Sequence, residues 1–269
     1  MAGLAARVAV VTGAARGIGA ATVLALAEQG WAVLAVDVAA DDPALPYPMG
    51  STAELSTVVT EANRLAGGDR VRGWVADVRD RDAVRAAVAD AERRWGGLDA
   101  AIAAAGVLAG GVPLWELSPE QERAVLEVNL GGVVNLAHAA VPVLLRRPRP
   151  RSGRFLAVAS AAATRGIPML AAYCAAKAGV TGLIRALGAE LGGTGVTANA
   201  VSPGSTDTRM LAESARLYAL PAAGAFADQQ PMGRLLDPGE IAAVLAFLAG
   251  PASSAMTGAV VATDGGLAL

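Results

Sequence analysis

Tyr173 and Lys177 stand four positions apart in a stretch whose pattern predicts a helix, so their side chains share one helical face. A tyrosine is ordinarily a poor base, with a pKa of about 10, but a nearby ammonium group favours the phenolate. Such a phenol can exchange a proton with an alcohol or carbonyl oxygen. Ser160 ends the preceding predicted strand and could hydrogen-bond the same oxygen. Alone, a Tyr-x-x-x-Lys pair is more often a helix surface pair, so the interpretation depends on the surrounding motifs.

A glycine-rich segment, TGAARGIG at residues 12–19, joins a predicted strand to a predicted helix. Gly13 permits a tight turn, Gly17 lets the backbone approach a pyrophosphate, and Gly19 lets helix and strand pack closely. The helix N-terminus offers free N–H groups and partial positive charge to phosphates. A glycine pattern alone also fits an ordinary turn, but its place between strand and helix at the chain start predicts dinucleotide binding.

Asp37 ends the second predicted strand, where a carboxylate can accept hydrogen bonds from both hydroxyls of an adenosine ribose. It would also repel a 2′-phosphate, which favours NAD over NADP. Arg16 points the other way, because a basic residue in the glycine turn can assist a phosphate. We give Asp37 more weight because its position bears on the ribose itself. The alternative is that Asp37 is only a turn residue at a strand end.

Short apolar runs alternate with helical stretches along the chain, which predicts one α/β domain with a Rossmann-type doubly wound parallel sheet. The sheet should have about seven strands and carry helices on both faces. Near-continuous apolar runs such as residues 8–11 are typical of strands buried on both faces. The predicted strands are 7–12, 31–37, 71–76, 100–104, 154–160, 196–201 and 259–262. The predicted helices are 17–30, 80–95, 119–145, 170–191 and 238–249.

Two long segments, 38–55 and about 205–230, interrupt this alternation. Long irregular segments in compact domains are usually functional or mobile. Each follows the carboxyl end of a predicted strand, the edge at which open parallel sheets bind ligands. We therefore predict that both cover a ligand. The second contains six large apolar or aromatic residues, which suggests a hydrophobic alcohol or ketone: Met210, Leu211, Leu217, Tyr218, Leu220 and Phe226.

The composition excludes several classes of function. The chain has 269 residues, a formal net charge of -2, 54% hydrophobic and 17% charged residues. Disorder is therefore not expected, and neither is nucleic-acid binding. The one basic cluster, at 146–154, contains two prolines and is interpreted as a solvated surface loop.

The sequence also leads to expectations about the cellular location of the protein and about metal sites. One cysteine allows no intrachain disulfide, and the chain start lacks the pattern of a signal peptide, so a cytoplasmic protein is expected. The uncharged stretch 130–145 is too short and too polar for a confident membrane span. No metal site is expected from one histidine and one cysteine.

Several motifs in order resemble the short-chain dehydrogenase/reductase family along essentially the whole chain. The resemblance is carried by the glycine turn, by Asp77-Val78, by Val128-Asn129-Leu130, by the spacing of Ser160 and Tyr173, by Pro203-Gly204 with Thr208, and by Asp264-Gly265-Gly266. It implies that Tyr173 is the acid/base, that Lys177 lowers its pKa and binds the nicotinamide ribose, that Ser160 orients the reacting oxygen, and that Asn129 holds a proton-relaying water.

The resemblance also implies the cofactor contacts and the assembly. NAD would lie against Gly13, Arg16, Gly17, Ile18, Gly19, Asp37, Asp77, Val78, Gly106, Tyr173, Lys177, Pro203, Gly204, Thr206 and Thr208. The family usually forms homotetramers through its two long helices. Ala104 departs from the pattern, since most members carry a structural asparagine there.

The length of segment 38–55, with its Pro-Tyr-Pro at 46–48 and a helix start after it, resembles the mycofactocin-associated dehydrogenases. In that subgroup the insertion is thought to cover the cofactor, so that NAD exchanges slowly and electrons leave through mycofactocin. The substrate would be a small alcohol or ketone. Two alternatives remain: a conventional reductase with exchangeable NAD(P)H, acting on a 3-oxoacyl thioester or a steroid-like ketone, and a catalytically silent dinucleotide sensor.

Overall fold

A seven-stranded, wholly parallel sheet forms the centre of the computed structural model, which describes residues 6–269. The strand order is β3-β2-β1-β4-β5-β6-β7, so the predicted doubly wound sheet is confirmed. The strands are β1 Val8–Thr12, β2 Ala32–Asp37, β3 Val71–Val75, β4 Ala100–Ala103, β5 Arg154–Val158, β6 Thr197–Pro203 and β7 Val260–Thr263.

Helices cover both faces of the sheet. They are α1 Gly17–Glu28, α2 Thr52–Ala66, α3 Arg81–Trp95, α4 Pro119–Leu126, α5 Gly132–Arg146, α6 Ala171–Glu190, α7 Arg209–Leu217 and α8 Pro238–Ala249. Short 3₁₀ turns occupy Leu114–Glu116, Ala161–Ala163, Ala223–Gln229 and Pro251–Ser253.

Alternate residues of each central strand feed two separate hydrophobic cores. In β1, Val8 and Val10 belong to the core on one face, whereas Ala9 and Val11 belong to the core on the other. All four side chains are at most 1% exposed. Because both faces of the strand are buried, its sequence is an unbroken apolar run. It also fixes the carboxyl edge of the sheet, where the glycine turn and Asp37 emerge.

The predicted helix 119–145 runs to Arg146 but is interrupted by a π-helical turn, Glu127–Gly131, between α4 and α5. The Asn129 side chain donates to Val125 O at 2.8 Å, the carbonyl four residues earlier. A side chain that takes this acceptor competes with the regular α-helical bond, and single π turns are common at functional sites. Among residues 6–269 this 28-residue span alone has the length and composition of a membrane span, yet 56% of its most apolar window is buried in the protein.

The two predicted irregular segments are more ordered than expected. Segment 38–55 is irregular only to Ser51, because α2 begins at Thr52 with a capping box between Ser51 and Glu54. We call residues 38–51 the insertion. Segment 205–230 contains α7, whose N-cap is Thr208. We call residues 205–230 the lid.

The interpretation of 146–154 as a solvated loop is wrong for Arg154. This residue lies in β5 and is 1% exposed. Its guanidinium donates to Gly250 O, Ser253 Oγ and Gly153 O, and burial lowers its pKa. Arg154 therefore anchors the chain after α8 to the sheet end opposite the glycine turn.

Candidate active site

The glycine turn leaves β1 and enters α1 with almost no free volume. Gly13 has φ +69°, and a Cβ there would lie 2.6 Å from the backbone of Ala105. A Cβ on Gly19 would lie 2.0 Å from the Gly13 carbonyl oxygen. The close approach of neighbouring backbone therefore explains why both positions are glycine. The turn leaves the N-terminus of α1 open to the cavity above it.

Gly19→Ala is expected to destabilise the protein by about 1–3 kcal/mol, because the added methyl must displace backbone rather than a flexible side chain. Dinucleotide affinity should fall with it, since the turn that presents the N–H groups shifts. Thermal unfolding and calorimetric titration with NAD measure the two effects. Gly68→Ala provides the comparison, because a Cβ there meets nothing within 4 Å and the backbone is outside the left-handed region. Equal loss of NAD affinity in both variants would refute this explanation of Gly19.

Asp37 is 8% exposed, and its carboxylate is held by two backbone N–H groups. Ala15 N donates to Oδ2 at 2.9 Å, and Ala39 N donates to Oδ1 at 3.0 Å. Among the described residues no lysine or arginine lies within ion-pair distance of it. Each oxygen retains a further lone pair for a hydroxyl donor.

Asp77 and Val78 follow β3 on the next side of the cavity. Arg79 donates to Asp77 and also to Asp42 of the insertion, at 2.6 and 2.7 Å. Although burial opposes it, the Arg79 hydrogen bonds lower the pKa of Asp77. Val78 packs against the start of α5, where a Cβ on Gly132 would lie 2.7 Å from it.

Tyr173 projects from the first turn of α6 into the cavity. Burial raises its pKa to about 12, while a hydrogen bond with Ser160 lowers it. Ser160 Oγ itself accepts from Ala162 N at 3.1 Å, which fixes the serine at the start of a 3₁₀ turn. Sδ of Met210, from the lid, lies 4.0 Å from the tyrosine hydroxyl.

Lys177 lies one helical turn further on, is 4% exposed, and has its Nζ 5.7 Å from the Tyr173 ring centroid. Nζ donates to Val158 O at 2.9 Å. Burial lowers the pKa of Lys177 to about 8, because no carboxylate neutralises it. The predicted pair on one face of α6 therefore exists, with the ammonium directed at the sheet.

Asn129 is fully buried behind the loop that follows β4. Its amide donates to Val107 O at 2.9 Å, and its Oδ1 accepts from Val107 N at 3.3 Å. A Cβ on Gly106 would lie 2.9 Å from Asn129 Oδ1 and 3.7 Å from Lys177 Nζ. The missing side chain of Gly106 thus leaves a space that borders both polar groups.

The chain after β6 completes the site. Gly204 is tightly enclosed, since a Cβ there would lie 2.2 Å from Gln230 Oε1. Thr206 Oγ1 donates to Gly204 O at 3.1 Å. The Thr208 methyl would be 3.4 Å from a Cβ on Gly17, so the start of α7 faces the glycine turn.

The structure brings nearly all predicted site residues to one cavity of about 560 Å³. Its walls include Gly13, Arg16, Gly17, Ile18, Gly19, Asp37, Asp77, Val78, Gly106, Ser160, Tyr173, Lys177, Pro203, Gly204, Thr206 and Thr208. Asn129 stands behind this wall. A buried Nη1 of Arg16 has no hydrogen-bond partner, so a donor for an anion remains at the glycine turn. These features fit a dinucleotide with its pyrophosphate on α1.

Sequence reasoning missed two residues of the site. Tyr47, in the insertion, lines the cavity and accepts a hydrogen bond from Leu108 N at 2.8 Å. Gln230 is 2% exposed. Its side chain accepts a hydrogen bond from Ser205 N and donates one to Arg234 O, so it joins the last residue of the lid to the first. The Pro-Tyr-Pro motif was a visible signal for Tyr47, but no local pattern marks Gln230. Met210, from the segment predicted to cover the ligand, lies against the Tyr173 hydroxyl.

The position of Ala104, which departs from the family pattern, is supported by a different side chain. The Thr12 hydroxyl accepts from Ala104 N at 3.2 Å and from Ala105 N at 3.4 Å. The ends of β1 and β4 are therefore tied together without the usual asparagine.

The fold and the site together define a dinucleotide-dependent oxidoreductase, and comparison with known proteins agrees. The family model described as Enoyl-(Acyl carrier protein) reductase matches residues 13–268. The cis-4-hydroxycyclohexanecarboxylate dehydrogenase of Sinomonas cyclohexanicum is 40% identical over 265 residues, which are 97% of this chain and 96% of that protein. The crystal structure of carveol dehydrogenase from Mycobacterium avium, in complex with NAD, matches with a TM-score of 0.92 at 30% identity and 98% of both chains.

An actinorhodin polyketide ketoreductase structure with NADPH also matches, with a TM-score of 0.86 at 33% identity, over 98% of this chain and 97% of that one. The chain belongs to the short-chain dehydrogenase/reductase family. Structural relatives therefore bind NAD in one case and NADPH in another.

Proposed function

We propose that this protein is an NAD-dependent alcohol dehydrogenase or carbonyl reductase that interconverts a hydrophobic secondary alcohol and its ketone. The observation that carries the proposal is the convergence of Ser160, Tyr173 and Lys177 with the glycine turn and Asp37 on one cavity. A silent dinucleotide sensor would not need the first three.

Tyr173 and Ser160 would move and hold the proton at the reacting oxygen. When bound, the nicotinamide supplies the carbon that accepts or donates hydride. During oxidation Tyr173 takes the alcohol proton while Ser160 hydrogen-bonds the same oxygen, and during reduction Tyr173 returns it. With its pKa near 12 the phenol of the free protein stays protonated at neutral pH, so positive charge in the loaded site must favour the phenolate before Tyr173 can accept a proton.

Lys177 and Asn129 would connect that phenol to water. The space left by Gly106 borders Lys177 Nζ and Asn129 Oδ1. A water there finds two polar partners, which is what a buried water requires. A proton taken by Tyr173 would leave by this route, with Lys177 beside the nicotinamide ribose.

The preference for NAD rests on Asp37. A buried carboxylate without a cation suits two ribose hydroxyls and repels a 2′-phosphate. Asp37→Ser is expected to remove this repulsion and shift the ratio of NADP to NAD affinity upward by at least about tenfold, the effect of about 1.4 kcal/mol. Calorimetric titration with both nucleotides measures it. An unchanged ratio would show that Asp37 does not govern the choice.

The substrate half of the cavity is apolar. Its apolar walls are Leu108, Ala161, Ala162, Ile167, Leu170, Met210, Leu211, Tyr218, Phe226 and Leu267, beside the polar Ser214 and Gln229. The Tyr218 hydroxyl donates to Pro168 O. Arg165, which does not line the cavity, donates to Leu267 O. This lining favours an uncharged alcohol or ketone, and the cyclohexane ring in the name of the Sinomonas relative's substrate supports an alicyclic one. A substrate screen in which small charged alcohols were the best substrates would contradict this preference.

We further propose that NAD is held tightly and that electrons leave through an external carrier, with mycofactocin as the partner. The insertion supports retention because it packs over Asp37, where a Cβ on Gly50 would lie 2.9 Å from Oδ1. The Asp42–Arg79 pair secures the same segment. We also propose a homotetramer, which light scattering tests.

Cofactor retention tests this proposal. The protein is purified without added nucleotide, dialysed extensively and denatured, and the supernatant is assayed for NAD(H) and NADP(H). Near-stoichiometric NAD is the expected result. An empty protein that binds nucleotide reversibly would instead support the conventional reductase of a 3-oxoacyl thioester or steroid-like ketone. The acyl-carrier description of the matching family model favours that second candidate.

A further inference from the structure

Tyr47 joins the insertion to a distant part of the site. Its ring packs against one hydrophobic core, and its hydroxyl oxygen accepts from Leu108 N at 2.8 Å. Burial raises the pKa of this phenol to about 12, so the hydroxyl stays protonated at neutral pH and keeps a proton to donate. Its side chain lines the same cavity as Tyr173.

The sheet order shows what this hydrogen bond encloses. The insertion leaves β2, whereas Leu108 follows β4, and β1 lies between those two strands. The segment that emerges from β1 is the glycine turn. The Tyr47–Leu108 bond therefore joins the segments on either side of the carboxyl end of β1, the edge at which the glycine turn enters α1.

The Leu108 end of this bond adjoins the catalytic machinery. Asn129 holds both the N–H and the carbonyl of Val107, the residue immediately before Leu108. Tyr47 holds the next N–H. The peptide unit between Val107 and Leu108 is thus held on both sides, its carbonyl by the buried asparagine and its N–H by the insertion.

The other contacts that hold the insertion and the lid cannot replace the Tyr47–Leu108 hydrogen bond. The Glu54–Arg209 ion pair joins α2 to the lid at 3.2 Å, but the arginine side chain is 63% exposed. Exposed pairs contribute little to stability. The Asp42–Arg79 pair holds the insertion to the end of β3, on its own side of the glycine turn.

We propose that Tyr47 is a positioning residue that latches the insertion across the bound dinucleotide and limits the rate at which the nucleotide leaves. Release of the cofactor requires the Tyr47–Leu108 bond to break, and its closure fixes the loop that Asn129 supports. This inference rests on the proposed dinucleotide cofactor but not on the identity of the electron partner.

Tyr47→Phe tests the latch because it keeps the ring and removes only the hydroxyl. Protein loaded with NADH is mixed with an excess of NAD, which is not fluorescent. The decay of the fluorescence of bound NADH then gives the release rate. We expect a rise of about 2- to 10-fold, the change carried by one intramolecular hydrogen bond. The single-turnover rate of protein with NAD already bound should change less than the release rate.

Thr194→Val is the matched control, because it removes a hydroxyl that likewise accepts a backbone N–H, that of Val196 at 3.1 Å, at a residue that does not line the cavity. Its NADH release rate should equal that of the unaltered protein. A Tyr47→Phe release rate equal to wild type would overturn the latch, as would equal acceleration in both variants. If unaltered protein already releases NADH rapidly, tight retention fails, yet the ratio between the variants still decides the latch.

Discussion

Tyr173→Phe is expected to lower turnover of a secondary alcohol by about 10²- to 10⁴-fold, the contribution of a positioned acid/base group. The variant loses the one hydroxyl that Ser160 supports within the cavity. Its ring remains, and with it the packing 5.7 Å from Lys177 Nζ. NAD binding and unfolding temperature should therefore change little.

Steady-state kinetics with one alcohol, together with calorimetric titration of NAD, separate these effects. If kcat falls while NAD affinity stays constant, Tyr173 acts in the chemical step. Equal losses of kcat and NAD affinity would point to a damaged site instead. Turnover within a few-fold of wild type would refute the acid/base assignment. A biological effect that survived complete loss of turnover would favour the sensor alternative.

Lys177→Met is expected to abolish most activity and yet stabilise the cofactor-free protein. The lysine is buried without a carboxylate, and burial lowers its pKa from 10.5 to about 8. At 1.36 kcal/mol per unit, that shift corresponds to a destabilisation of about 3 kcal/mol at neutral pH. The bond to Val158 O offsets about 1 kcal/mol. A net gain of about 2 kcal/mol should raise the unfolding temperature by roughly 4 °C or more.

The pH dependence identifies the cause of that gain. Below pH 8 the lysine is charged in both the folded and the unfolded protein, so the full penalty applies. Between pH 8 and 10.5 the folded form has released its proton while the unfolded form retains it, so wild type gains stability relative to Lys177→Met. The difference should shrink across this window. A constant difference would attribute it to packing rather than charge.

Local patterns predicted most of the sheet because parallel strands buried on both faces leave unmistakable apolar runs. Helix ends were less predictable. The sequence showed a helix start at Thr52 but not the length of α2, which has only two buried residues and a mostly polar outer face. The helix α7 was hidden because it is short and begins with a polar N-cap inside a segment without strand or helix rhythm. The π turn depends on where the Asn129 side chain points, which no spacing reveals.

The site was predictable where chemistry requires a residue type at a fixed spacing, as for Tyr173 and Lys177. It was not predictable where the contact joins distant segments. Tyr47 and Leu108 are separated by 61 positions, and only the sheet order brings them together. Gln230 and Ser205 are 25 positions apart, and their bonds depend on the path of the lid. Such contacts follow from the fold rather than from a motif.

We expect one retained NAD to accept hydride from an alcohol at the Tyr173 site. The direct measurement mixes dialysed protein, without added nucleotide, with an apolar alicyclic secondary alcohol and follows the absorbance of reduced nicotinamide. We expect one equivalent of reduced nicotinamide per site and then no further change until an artificial electron acceptor restores turnover. No signal without free NAD, followed by continuous turnover once NAD is supplied, would contradict retention. No signal under either condition would contradict the proposed chemistry.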